Sequence, residues 1–225
     1  NMTITATDTA DFSNLNSAPS KPLAFYHTFR GCSSMTAVPN CGSWLSGQAI
    51  GIPGMFYGCS GLTTIDVANW DVSNVTDINS AFRACTSLTS LDVSSWDTSS
   101  ATTLQTMFRD MISLTSLDVS SWDVSSVTTL KDTFRSMSSL TSLDLSSWNV
   151  SNVTNLFAMF YGNAQMTTIG NVDGWDITNV SGTNSASYLF YNCDKLTVNI
   201  PSWGPFKAGA WLSYMFFSVS SGVGS

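Results

Sequence analysis

The 225-residue chain carries a net charge of −7, with 10% of its residues charged and 43% hydrophobic. This balance excludes a nucleic-acid binder, which needs a basic face to release counterions from phosphates. No run approaches the roughly 18 apolar residues of a membrane span. All 15 acids are Asp, a turn and cap residue rather than one of long exposed helices, so many turns and only short helices are expected.

In chain order, residues 1–24 read as an extended N-terminal segment and cap, with Thr3-Ile4-Thr5-Ala6-Thr7 as a strand. The chain opens on Asn, with no basic-then-apolar leader; a removed signal peptide or a segment of a longer chain is the expectation. From residue 25 to 198 one small unit repeats. Trp44, Trp70, Trp96, Trp122, Trp148, Trp175 and Trp203 are spaced by 26, 26, 26, 26, 27 and 28 residues. Phe29, Phe56, Phe82, Phe108, Phe134, Phe160, Phe190 and Phe216 keep step. A unit this short cannot bury its own apolar face, so stability must come from stacking neighbours.

Within the unit from Leu88 to Met111, Leu88, Leu91 and Val93 form L-x-x-L-x-L before Trp96. The alternation around Asp92 predicts a short strand with the Asp outward. After Trp96, Asp97-Thr98-Ser99-Ser100 are turn and N-cap residues. Ala101, Leu104, Phe108 and Met111 then recur at helical spacing, which predicts a helix of about three turns with one apolar stripe. The four arginines, Arg30, Arg83, Arg109 and Arg135, each follow a column phenylalanine, a place in the last helical turn that the dipole favours.

Four of the five cysteines, Cys32, Cys59, Cys85 and Cys193, occupy the slot three residues after a column phenylalanine, where other units hold Met111, Met137 and Asn163. Exchange with Met reads as small apolar filling by free thiols, with a Cys32–Cys41 bridge left open as the minor alternative. No CxxC pair supports a zinc or redox site.

Gly170–Gly174 stretches the unit before Trp175, and Gly182 to Ala186 is an insertion before Phe190. Residues 199–225 read as an atypical last repeat and tail, continuous with the rest as one domain. Their Ala210-to-Val219 run, with Trp211, Leu212, Tyr214, Met215, Phe216 and Phe217, is apolar on nearly every side. Repeat arrays need polar end caps; here Ile4, Phe25, Tyr26 and Phe29 at one end and Trp211, Leu212, Tyr214, Phe216 and Phe217 at the other form a candidate assembly interface.

One strand and one helix per unit is the leucine-rich-repeat plan. The segment Leu114-Thr-Ser-Leu-Asp-Val-Ser-Ser-Trp-Asp-Val-Ser-Ser-Val-Thr, with Met107-Phe108 or Met159-Phe160 in the following slot, resembles the bacterial surface protein 26-residue repeat, a BspA-like branch of leucine-rich repeats. The resemblance covers roughly residues 50–198, and more loosely 25–50 and 199–217. It implies an α/β solenoid of about eight coils, with short parallel strands on one side and short helices on the other. It also implies an extracellular or cell- or virion-surface protein that adheres or assembles.

Asp66, Asp92, Asp118 and Asp144, with Ser90 and Ser116, make a candidate binding face. Carboxylates at the sheet spacing of about 4.8 Å repel, so raised pKa values or recruited cations are expected. Calcium is the weaker reading, because no EF-hand or nonapeptide pattern is present. Asp71, Asp97, Asp123 and Asp176 read as turn caps. Trp70, Trp96, Trp122 and Trp148 read as a core ladder beside Phe82, Phe108, Phe134 and Phe160, with sugar stacking on exposed indole faces as the alternative. His27 is the one histidine and reads as a core or interface residue. No nucleophile elbow, P-loop or dinucleotide fingerprint occurs, so no enzyme and no cofactor are expected. The expected partners are further copies of the chain, a carbohydrate or a surface protein.

Overall fold

The structure, a computed structural model, describes residues 23–38, 41–45, 49–198, 203 and 214–216. The repeat places each unit directly on the one before it. Phe29 and Phe56 stack at 5.3 Å between ring centroids, Phe82 and Phe108 at 6.5 Å, and Phe190 and Phe216 at 5.5 Å. The column phenylalanines Phe56, Phe82, Phe108, Phe134, Phe160 and Phe190 are fully buried, with Leu62, Leu88, Leu114 and Leu140 beside them. One hydrophobic core therefore runs the length of a repeat solenoid.

All described pairing between coils is parallel. Strand β1 (Leu23–Ala24) pairs with β3 (Ala49–Gly51), and β2 (Ala37–Val38) with β4 (Thr64–Ile65). A short 3-10 helix spans Cys41–Ser43. Single parallel bridges link Gly51, Asp77, Thr103, Thr129 and Asn155 in one ladder. The expected strands near the Asp column form only in part. Thr64–Ile65 precedes Asp66, and Ser142 bridges to Thr168 beside Asp144. The stretches around Asp92 and Asp118 make no strand ladder.

The expected helices are absent among the described residues; consecutive tight turns stand in their place. The backbone angles give the reason. The residue two before each column phenylalanine has positive φ: His27, Gly54, Ser80, Thr106, Asp132, Ala158, Tyr188 and Tyr214. The residue two after does too, at Gly31, Gly58, Ala84, Asp110, Ser136, Gly162 and Asn192. A positive φ at the third residue of a four-residue turn is the mark of type II, and it breaks an α-helix.

These turns also change where the amides point. Ala81, Arg83 and Cys85 donate three residues back, to Ile78, Ser80 and Phe82. The amides between them, of Ser80, Phe82 and Ala84, donate to Gln105, Met107 and Arg109 of the next coil. A helix would close all these bonds within itself. The turns spend half of them on joining coils, so backbone bonding and aromatic stacking act together. Glycine is required at Gly61, where an added Cβ would run into the Ser33 carbonyl oxygen.

All five cysteines are free and buried, so Cys32 and Cys41 are not bridged. Their slot does more than fill space. The thiols of Cys59, Cys85 and Cys193 donate to the carbonyls of Phe29, Phe56 and Phe160 at 3.0, 3.2 and 2.9 Å. Burial pushes the Cys59 and Cys193 thiols up to about 12, which leaves them protonated donors and poor nucleophiles.

Candidate functional site

Three surfaces carry the chemistry of this chain: an acidic flank, the turn side, and the two ends. On the flank, Asp92, Asp118 and Asp144 are each locked by their own turn. Asp92 Oδ1 accepts the Ser94 amide at 3.1 Å and its hydroxyl at 2.7 Å, and Asp118 is bonded the same way by Ser120. Asp97, Asp123 and Asp176 cap the following turn through Ser99, Ser125 and Thr178. These bonds stabilise the charged form. The hydroxyls of Ser94, Ser99, Ser125, Ser146 and Thr178, followed by their amides, hold Asp92, Asp97, Asp123, Asp144 and Asp176 below the ordinary carboxylate range. The expected rise at Asp92 and Asp144 is thus reversed, because donors at hydrogen-bond distance outweigh repulsion between solvated neighbours. Among the described residues no cluster of three or more carboxylate, thiol or imidazole ligands could hold a metal.

Beside this column the coils part. Thr63 donates to the Thr36 carbonyl and Thr167 to the Thr141 carbonyl, but the matching bonds at Thr89, Thr115 and Thr141 are missing among the described residues. Two open grooves lie there. One, of about 420 Å³, is lined by Ser90, Leu91, Asp92, Ser116, Leu117 and Asp118 among others. The next, of about 480 Å³, runs past Ser142, Asp144 and Thr168. The candidate residues Asp92, Asp118, Ser90 and Ser116 therefore meet in one place, and Asp144 in the adjoining groove. Asp66 lines neither groove.

The four candidate tryptophans offer no exposed face for sugar stacking. Trp70, Trp96, Trp122 and Trp148 are all buried, and Trp96, Trp122 and Trp148 each donate Nε1 to a carbonyl of the preceding coil, Val67, Val93 and Val119, at 3.0 Å. Indole faces cover one another, with Trp96 and Trp122 parallel to within 1°. They are core and cross-coil brace together.

The turn side holds what sequence reasoning missed. Around the four arginines the described backbone makes turns and no helix, so there is no helix dipole for them to answer. Arg30 and Arg83 instead lie over Tyr57, at 4.8 and 4.7 Å from its centroid, and Arg135 lies over Tyr161 at 4.4 Å. Arg109 and Arg135 both reach buried Asp132. Tyr161 stacks on Tyr191, and Tyr188 on Tyr214, forming a half-exposed aromatic patch with Phe157. The signal was available: the slot after each column phenylalanine reads Arg30, Tyr57, Arg83, Arg109, Arg135, Tyr161 and Tyr191, residues that stack on one another whenever coils do.

At the ends, Phe25 and Phe29 are buried, Tyr26 and Tyr214 are 60% and 57% exposed, and Phe216 is half-buried. Ile4, Trp211, Leu212 and Phe217 lie outside the described residues. His27 is exposed rather than core; its ring occupies the space over Gly54.

A family model described as "Mycoplasma protein of unknown function, DUF285" matches residues 23–117 and 110–222. The chain belongs to the DUF285 family. This agrees with the resemblance to the bacterial surface 26-residue repeat. No curated protein matches this DUF285 chain. Similar solved structures include a T. pallidum leucine-rich-repeat protein, TpLRR, at 20% identity and a TM-score of 0.35, covering 68% of this chain and 64% of that one. A Leptospira interrogans leucine-rich-repeat protein is similar at 15% identity and a TM-score of 0.35, covering 67% of this chain and 45% of that one. The DUF285 chain spans less than two thirds of the length of either. Among its described residues no helix is long and apolar enough to cross a membrane.

Proposed function

We propose that this chain is a non-enzymatic extracellular surface protein that works through contacts with other macromolecules, and that its copies associate end to end into a fibre or appendage. Membership of the surface-repeat family supports the surface role. The observation that carries self-association is the aromatic column. It runs without interruption from Phe29 to Phe216 and leaves Tyr214 exposed on the last rung. Stacking another copy continues the contacts that already hold each coil to its neighbour. Light scattering and electron microscopy of the purified chain test this directly: filaments are expected, and a stable monomer at high concentration overturns it.

A second reading has its own support. The grooves beside Asp92, Asp118 and Asp144 present carboxylates and hydroxyls where coil-to-coil bonding lapses, a surface suited to a host glycan or protein. The insertion adds exposed Gly182, Thr183 and Asn184 as a further contact. For this adhesin role, binding to a glycan or protein array should fall on Asp118→Asn; binding that is unaffected removes the groove from consideration.

A further inference from the structure

We propose that the two ends of the solenoid are complementary in backbone hydrogen bonding, so that a second copy docks head to tail, with its first coil continuing the ladder of the last. This rests on the end-to-end reading above and adds to it a polarity and a register. The turn-side ladder has a direction. Every column phenylalanine from Phe29 to Phe190 donates its amide forward, to the residue before the phenylalanine of the next coil. Phe190 thus donates to Met215 at 2.9 Å. Continued one coil further, the Phe216 amide meets the carbonyl of Thr28 in the next copy. Among the described residues neither group has a partner.

The first coil is built to receive it. The carbonyls of Tyr26, Thr28 and Arg30 stand where Pro53, Met55 and Tyr57 accept from the coil before, and they have no donor among the described residues. Exposure tells the same story. Met55, Ala81, Met107, Thr133, Met159 and Leu189 share the Thr28 column, and each is fully buried by the coil that precedes it. Thr28 alone in that column is exposed. On the flank the direction reverses, since Thr63 donates back to Thr36; the Thr36 amide accordingly points out of the same end with no acceptor among the described residues.

Two C-terminal ends would face amide to amide on the turn side, and two N-terminal ends carbonyl to carbonyl. In that alignment neither can bond. Only unlike ends continue the turn side and the flank in register together, so the contact is heterologous, and a heterologous contact that does not close grows without limit. It resembles strand addition with a whole coil in place of a strand.

Register supplies the test. In the continued stack, Tyr214 of one copy sits directly under His27 of the next, one coil apart. Adjacent parallel backbones lie about 4.8 Å apart, within the Cα separation that a disulfide spans. The native thiols are buried and do not compete. The 225-residue chain carrying His27→Cys with Tyr214→Cys should, on mild oxidation, give a covalent ladder of dimers, trimers and longer species, reversed by reductant. Either single variant should stay monomeric on a denaturing gel. Dimers from Tyr214→Cys alone mean tail-to-tail contact and overturn the proposal. Because both substitutions fall at positive φ, circular dichroism must match the parent, and filament polarity in electron micrographs of the unaltered chain gives a second readout. Unaltered chains that form filaments of mixed polarity, or a well-folded double variant in filaments without a covalent ladder, sink the inference and leave the end-to-end reading standing. An unaltered chain that forms no filaments sinks both.

Discussion

Asn163 does for its coil what cysteine does for others, donating Nδ2 to the Phe134 carbonyl at 2.9 Å. Its Oδ1 also accepts the Met137 amide at 2.8 Å, so one buried side chain satisfies a donor and an acceptor of the preceding coil. Asn163→Leu strands both, and leaving a buried group unsatisfied costs about 1–3 kcal/mol. Asn163→Cys keeps the bond to Phe134 and should lose less. Urea midpoints falling in the order parent, Cys, Leu are expected; equal midpoints would mean that water replaces the lost bonds.

Phe108 is fully buried, with Phe82 and Phe134 on its two faces. Phe108→Ala should destabilise the array by about 3–5 kcal/mol, the usual loss for a large buried ring. Because coils contact only their neighbours, hydrogen exchange should loosen first around residues 82–134. An unchanged urea midpoint would contradict the packing.

Ala84 takes a φ of 58° in a slot that Gly58 and Gly162 fill elsewhere. The left-handed region costs an L-residue roughly 1–2 kcal/mol, and glycine nothing. Part of this is offset by the entropy glycine loses on folding. Ala84→Gly should therefore raise stability by about 0.5–1 kcal/mol, read as a higher melting temperature. A drop would show that the Ala84 methyl contributes more in packing than the backbone loses in strain.

Asp92, Asp97, Asp123, Asp144 and Asp176 have folded-state pKa values below the ordinary one. A depressed folded pKa stabilises above the unfolded value, about 3.9 for Asp, and that contribution is lost as pH falls through the folded pKa. The melting temperature should thus be level, as far as these groups matter, above about pH 5 and decline below about pH 4. Ser94→Ala with Ser99→Ala removes the hydroxyl donors and should flatten the decline. An undiminished acid slope in that variant would assign the loss to other carboxylates.

The solenoid was legible because its signal is redundant: seven tryptophans and eight phenylalanines in register leave few alternatives to stacking. The Asx turns were legible for a similar reason, since Asp71-Val72-Ser73-Asn74 carries its hydrogen-bond partners within four residues. The helix expectation failed because Val75, Ile78, Phe82 and Cys85 lie inward with the same spacing on successive turns as on a helix. The discriminating signal was weaker. Only Gly31, Gly54, Gly58 and Gly162 mark the positive-φ columns, and the rest are Ser, Thr, Ala, Asp, Asn, His or Tyr, which tolerate that conformation only under the constraint of neighbouring coils. The acidic groove was visible as a column of Asp and Ser, but not as a groove, because lapsed bonding at Thr89 and Thr115 depends on the spacing of whole coils.

Asp132 is the one charged residue buried in the described array, and it holds two arginines from different coils. Its Oδ1 meets Arg135 at 3.1 Å and its Oδ2 meets Arg109 at 3.6 Å. Its φ is 55°, a conformation that Asn adopts as readily as Asp. Asp132→Asn therefore tests the charge without disturbing the turn. Removing one partner of a buried ion pair usually destabilises by about 3–5 kcal/mol, but the arginine side chains are 23% and 26% exposed and can turn to water, so about 1–3 kcal/mol is expected. The pair is shielded from ions, so the loss should be nearly the same at low and high salt, unlike that of a surface bridge. Chemical denaturation in urea at two ionic strengths measures both. A loss that vanishes at high salt would place Asp132 at the surface and break the account of the turn side.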